Sequence, residues 1–347
     1  MRRKVATITD VAKLARVSVG TVSNVLNGAR KVSDERRQRV LKAIEKLSFK
    51  QNMLAQGLRR KSSHVVGLCV PLTSTSYFSA LVDAFEDVAS SRGFAIMQVL
   101  TQQDPHREKQ RIEELLGYRV GGILLVPSME PSASYELIEK SGVPLVVVDR
   151  PATEYSFDQV TFANRKAMQE VARRLIELGH RRILFCVQQR RLSVTVQRIE
   201  GLRYAIRRAG QPVEHRVLTC APDEAGFLDQ MRQELKGDSP PTAVIVSNST
   251  LAAWMTRALH ALKIACPKNV SVLAFGEPEW ADLVTPRLSV VRQPIKAIAR
   301  TAWELLIGRM NGAQDPVAKI EIEGEVIMRE STAPPPVASK SRRRVPA

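Results

Sequence analysis

The chain has 347 residues, 44% of them hydrophobic, and 52 Lys and Arg against 35 Asp and Glu give it a formal charge of +17. That apolar content can build a buried core, and the length fits two to three domain-sized units. The apolar runs are only strand-length, the first residues lead into Thr and Asp, and four cysteines lie far apart, so a membrane span, a secretory leader, a zinc cluster and a disulfide framework are all excluded in favour of a cytoplasmic protein with reduced thiols.

The charge is unevenly placed. Residues 1–61 hold 16 basic and 4 acidic side chains, residues 333–347 hold 4 basic and none acidic, and the stretch between is nearly neutral. A basic head on a neutral body predicts a polyanion partner for the head. Within it, Thr7-Ile8-Thr9-Asp10 has the form of a capping box, followed by Val11, Leu14 and Ala15 at helical spacing. Ser18 caps a second helix with Val22, Val25 and Leu26 on its buried stripe, and Asn27-Gly28 ends it. Ser33 is placed to cap a third, with Asp34 and Glu35 in its first turn and Val40, Leu41, Ile44 and Leu47 facing inward. Three short helices, the first two joined by a tight turn, can present the second one in a major groove.

The string from Ile8 to Gly28, ITDVAKLARVSVGTVSNVLNG, resembles the lactose-repressor family of bacterial transcription regulators through its V-A…A-x-V-S…T-V-S-x-V-L-N pattern. The resemblance implies that Thr7, Ser18, Thr21, Ser23, Asn27 and Ser33 bind phosphate oxygens and fix register. It places Val19, Gly20 and Asn24 where base edges are read. Asn suits adenine, Val meets a thymine methyl, and Gly20 leaves the backbone bare. Further on, Asn52 to Leu58 resembles the family's minor-groove hinge helix, with Leu58 as the wedge, Ala55 beside it and Asn52 at its start. Gln51 stands where the family usually has Pro, and Gly57 replaces a bulkier residue. The implied boundaries are a helix-turn-helix domain over 1–50, a hinge over 51–61, a core over 62–332 and a disordered basic tail over 333–347.

From His64 onward, apolar strands alternate with amphipathic helices, which predicts an α/β fold with parallel sheets. The strand candidates are Val65–Val70, Ala95–Leu100, Gly122–Val126, Leu145–Asp149, Val160–Phe162, Ile183–Val187, Ala243–Val246 and Ser271–Phe275. No G-x-G-x-x-G or P-loop follows any of them, and no catalytic constellation stands out, so neither a cofactor, a metal nor an enzyme activity is expected. His180-Arg181-Arg182 reads as a structural turn.

This region also resembles the two-lobed, periplasmic-binding-protein-like core of the same family, through Val70-Pro71…Tyr77-Phe78, Val146 to Arg150, Leu178 to Ile183, Ala243 to Asn248 and Arg292-Gln293-Pro294. The implied N-lobe covers 62–162 and 293–323, and the implied C-lobe 163–292 and 324–332. Effectors of such cores lie in the cleft between lobes, near strand ends. The cleft positions implied here are Thr73, Ser74, Tyr77, Asp149, Phe162, Arg198, Asn248, Gly276 and Trp280. Three family acids are missing, at Ala163, Ser249 and Gly276, while Arg198 is kept. That balance favours an acidic effector such as a gluconate-like sugar acid over a neutral sugar. The expected protein is a homodimeric repressor of a pseudo-palindromic operator. The alternative is a cytoplasmic sugar-binding protein without operator function.

Overall fold

Capping chemistry starts the first helix. The computed structural model describes residues 6–26, 32–49, 63–129, 132–152 and 154–336, and the chain divides into two units, Met1–Ser63 and His64–Ala347. In the first unit the Asp10 amide donates to Thr7 Oγ1 at 3.3 Å and the Thr7 amide donates to Asp10 Oδ2 at 2.8 Å. These reciprocal bonds begin α1 (Ile8–Ala15), and Arg16, with φ 54°, closes it in the left-handed conformation. The Thr21 amide donates to Ser18 Oγ at 3.1 Å at the start of α2 (Val19–Leu26). Helix α3 (Asp34–Leu47) follows Ser33, whose backbone is extended but whose hydroxyl makes no capping bond. The side-chain cap expected at Ser33 is therefore absent, and Asp34 and Glu35 complement the helix dipole in its place.

The head packs around Val11, Ala12, Ala15, Val22, Val25, Val40 and Ala43. Leu14 and Leu41, expected in the buried stripes, are 43% and 46% exposed. Each lies roughly 100° around its helix from the buried row, one residue-step of the helical wheel. Ala12 and Ala43 take the contacts instead, and their small size lets the helices approach closely. Asn27, Asn52, Ala55 and Leu58 lie outside the described residues, as does the tail from residue 337.

The second unit holds two six-stranded sheets. The first contains β1 (Val65–Val70), β2 (Ala95–Leu100), β3 (Gly122–Leu125), β4 (Leu145–Asp149), β5 (Asp158–Phe162) and β11 (Lys319–Ile322), in the order β11-β5-β4-β3-β1-β2. The second contains β6 (Arg182–Val187), β7 (Glu214–Thr219), β8 (Ala243–Val246), β9 (Ser271–Phe275), β10 (Ser289–Arg292) and β12 (Glu325–Ile327), in the order β12-β10-β9-β8-β6-β7. All pairings are parallel except β10 with β12. Crossover helices α4 (Ser76–Ser91), α5 (Pro105–Gly117), α6 (Ser132–Ser141), α7 (Asn164–Glu177), α8 (Ser193–Arg207), α9 (Glu224–Lys236), α10 (Ser249–Leu262) and α11 (Ile295–Met310) cover the faces. Fully buried strand residues such as Val66, Val146, Phe185 and Ile245 fill the space beneath them. No helix among the described residues is long and apolar enough to cross a membrane.

The chain passes between the sheets three times, after β5, after β10 and after β11. These passages meet at Gly324, where a Cβ would come within 2.2 Å of the Arg292 carbonyl oxygen and 2.7 Å of the Phe162 ring. Only glycine fits there, so the sheets are joined through a narrow, closely packed neck. His180 begins the turn into β6 and is fully buried. Its Nε2 lies 2.9 Å from the Ala333 carbonyl and its Nδ1 3.0 Å from Thr242 Oγ1, and burial pushes its pKa down to about 4. A neutral ring donating from Nε2 thus fastens the C-terminal segment to the second lobe.

Candidate functional site

Two surfaces carry the polar residues singled out above. On α2, Val22 and Val25 point into the head, and the opposite side of the helix carries Gly20 and Asn24, both exposed, with Ser23 half-buried. Val19 and Thr21 are half-buried at the flanks, and Ser18, Thr7 and Ser33 are exposed near helix starts. Ser18 Oγ and Thr21 Oγ1 lie 2.9 Å apart, which presets the two hydroxyls side by side. Among the described residues a Cβ on Gly20 would meet only Ser18 Oγ, at 3.7 Å, so none of them requires glycine there. The helix offers an amide, hydroxyls and bare backbone on one face, the donor and acceptor mix that reads a groove.

The second surface is a cleft of about 670 Å³ in the core, at the carboxyl ends of the strands. Its centre is Arg198 of α8, 6% exposed. Arg198 Nε donates to Asn164 Oδ1 at 2.7 Å, and Nη1 donates to the Ser247 carbonyl at 2.8 Å. Its guanidinium stacks 4.0 Å from the centroid of Phe275. Asn164 is itself oriented by its own Nδ2, which donates to the Phe162 carbonyl at 3.0 Å. The second lobe therefore holds the guanidinium rigidly, while Asp149 and Tyr77 face it from the first. Burial lowers the Arg198 pKa to about 10, with Asp149 and Tyr77 acting against that fall, so it stays charged at neutral pH.

Tyr77 OH donates to Asp149 Oδ1 at 2.8 Å. Burial, and then the neighbouring Asp149 carboxylate, push the phenol pKa well up, so Tyr77 remains a hydrogen-bond donor. Asp149 has φ 68°, and this left-handed turn at the end of β4 aims the carboxylate into the cleft. Asn248 begins α10: its Oδ1 accepts from the Leu251 amide at 2.9 Å and its Nδ2 donates to Gln188 Oε1 at 2.8 Å. Beyond Gly276, Glu277 is clamped by Arg292, whose Nη2 donates to Oε1 at 3.0 Å, and by Arg329. The bonds from Arg292 and Arg329 hold the Glu277 carboxyl below the usual carboxylate range.

Of the nine cleft residues named from sequence, Tyr77, Asp149, Arg198, Asn248 and Gly276 line this cavity. Thr73 and Ser74 lie on the same loop but not on the lining, where Leu72 and Thr75 stand. Phe162 is fully buried against the neck, and Trp280 packs on the hydrophobic cluster of the second lobe. Gln103, Gln188 and Gln293 also line the cleft and had not been singled out. Gln188 directly follows β6 and Gln293 directly follows β10, so the strand-end rule finds both once the strands are known. Among the described residues no three His, Cys, Asp or Glu side chains converge to hold a metal.

Residues 7–52 match the model of the bacterial regulatory proteins of the lacI family, and residues 172–332 match the periplasmic binding protein-like domain. The chain is 30% identical over 331 residues to the HTH-type transcriptional regulator GalR of Escherichia coli K12, covering 95% of this chain and 96% of that protein. It is 28% identical over 328 residues to the ribose operon repressor of Haemophilus influenzae, covering 94% and 98%. Among solved structures, the lac repressor dimer bound to operator and the anti-inducer ONPF superposes with a TM-score of 0.84 at 23% identity, covering 95% of this chain and all of that one.

Proposed function

The chain belongs to the lacI family of bacterial regulatory proteins, and on that premise we propose that it is a dimeric repressor whose operator affinity is set by a small polyhydroxylated effector in the core cleft. The observation that carries this reading is the pairing of an exposed polar face on α2 with a cleft whose two walls belong to different lobes. A ligand that touches both Arg198 and the Asp149–Tyr77 pair stabilises one lobe arrangement over others. Such a ligand biases the conformation in proportion to that difference in affinity, and operator binding must alter its affinity by the same factor.

Dimerisation is supported by the likeness to the lac repressor dimer bound to operator, which covers 95% of this chain. Two equivalent heads then read a pseudo-palindrome. A binding protein without operator function is disfavoured by family membership and by the open face of α2.

The finer reading is a sugar acid of the gluconate type. Ser249 and Gly276 line the cleft where the family has acids, whereas Ala163 is buried away from it. Glu277 is neutralised by two arginines, and no bond is made by Arg198 Nη2 among the described residues. A thermal-shift screen of the full chain with D-gluconate, D-glucose, D-ribose and D-galactose tests both levels. Ligand at about a hundred times its Kd adds about 2.7 kcal/mol, a readily measured shift. Stabilisation by the neutral sugars alone rejects the sugar-acid reading; no response to any polyol rejects the effector reading.

A further inference from the structure

We infer that Gln103 is a specificity-determining residue of the cleft, reading one hydroxyl of the ligand from the first lobe. The inference rests on the effector reading of the cleft and names a residue outside the Arg198–Asp149–Tyr77 centre. Strand β2 ends at Leu100, and Asp104 caps α5 by accepting from the amides of His106 and Arg107 at 2.8 and 3.2 Å. Between them, Gln102 and Gln103 are both left-handed, with φ 54° and 60°. Two successive left-handed residues are uncommon in L-amino acids, and here they separate an exposed glutamine from one that lines the cleft. Gln102 Oε1 accepts from Arg107 on the outside. Gln103 lines the cleft, and its Oε1 is buried with no hydrogen-bond partner among the described residues. Thr75 Oγ1, on the same wall, is in the same condition.

A buried amide oxygen without a donor destabilises the empty protein, because water's hydrogen bonds have been lost and not replaced. A ligand hydroxyl supplies the missing donor and accepts from the adjacent Nε2, so one hydroxyl satisfies both ends of the amide. The group is uncharged, so it distinguishes hydroxyl from hydrogen without choosing between sugar and sugar acid. It is the part of the cleft that rejects a deoxy analogue, since a missing hydroxyl leaves the amide unpaired.

The test compares wild type with Gln103→Leu in the full chain, using calorimetric titration and thermal melting with D-gluconate, D-ribose and D-galactose. For whichever of these sugars binds wild type, the Leu variant binds roughly ten-fold more weakly. Its ligand-free melting temperature is equal or higher, because the unpaired amide is gone. Among monodeoxy analogues of that sugar, one binds both proteins equally. Unchanged affinity in the Leu variant, or a lower ligand-free melting temperature with unchanged affinity, overturns the inference and leaves the effector reading standing. A wild type that binds none of the three sugars contradicts the effector reading itself, and this inference with it.

Discussion

Two of the glycines inside helices, Gly20 in the head and Gly201 in the core, differ in what surrounds them. Gly201 of α8 lies against α7, and a Cβ there would stand 2.4 Å from the Arg165 carbonyl oxygen and 3.1 Å from the Met168 Cβ. Gly20 of α2 has a single neighbour, Ser18 Oγ at 3.7 Å, so an added methyl would fit. Glycine weakens a helix interior in both places. In the core that cost is offset by the close approach of two helices beside the Arg198 cleft. In the head no described residue packs against Gly20, which is the arrangement expected of backbone that approaches a groove. The contrast separates residues kept for packing from residues kept for a partner.

The same substitution at the two positions should therefore act in opposite directions. Gly201→Ala forces α7 and α8 apart and costs about 3 kcal/mol of core stability. Chemical denaturation measures this, and an unchanged midpoint would mean that the helices relax freely. Acid should also strike the core selectively, since no histidine precedes His64. His180 is held neutral with a folded pKa of about 4 against an ordinary 6.5. The unfolded chain takes up the proton first, so its stabilising contribution is complete above pH 6.5 and is lost as the pH falls toward 4. The loss amounts to at most about 3 kcal/mol. Denaturation curves of His180→Gln should lack this slope between those values; a slope equal to wild type assigns the effect elsewhere.

On the head, Asn24→Ala removes an exposed amide. Operator affinity should fall by roughly 10- to 100-fold while the salt dependence stays the same, because a base contact is lost and no phosphate contact is. A changed salt slope with little loss of specificity would move Asn24 to the backbone-binding set. The smallest effect belongs to Gly20→Ala, which should stabilise the head by at most about 1 kcal/mol. It should also weaken operator binding. Higher stability with undiminished affinity would remove the groove-approach argument.

Legibility followed the same division. The head's caps and buried valines were visible because every partner lies within a few residues, and only Ser33, Leu14 and Leu41 departed from expectation. The central strands of both sheets were visible as apolar runs. Strands β7, β10, β11 and β12 were not among the candidates: β7, β11 and β12 lie at sheet edges and mix charged residues with apolar ones, as in Glu214–Thr219 and Lys319–Ile322, and β10, Ser289–Arg292, has only two apolar residues between a Ser and an Arg. The cleft needs residues brought together from the ends of eight strands, so family resemblance supplied Tyr77, Asp149 and Arg198. It misjudged the neighbourhoods of Phe162 and Trp280, which packing alone decides. The clamp on Glu277 joins residues 277, 292 and 329, a pairing no local pattern encodes.

The charge of +17 thus divides by segment: the head carries most of it beside an uncharged exposed face on α2, and the nearly neutral core buries two arginines, Arg150 and Arg198, at its cleft. The most direct test of that division is a fluorescence-anisotropy titration of the full chain. Its target is a palindromic duplex selected by the protein itself from a random pool, with and without the polyol that stabilises the core. The account predicts a saturable isotherm whose midpoint moves at least five-fold on adding that ligand, within the ordinary range of allosteric coupling. Superimposable isotherms, with the ligand demonstrably bound, would contradict it.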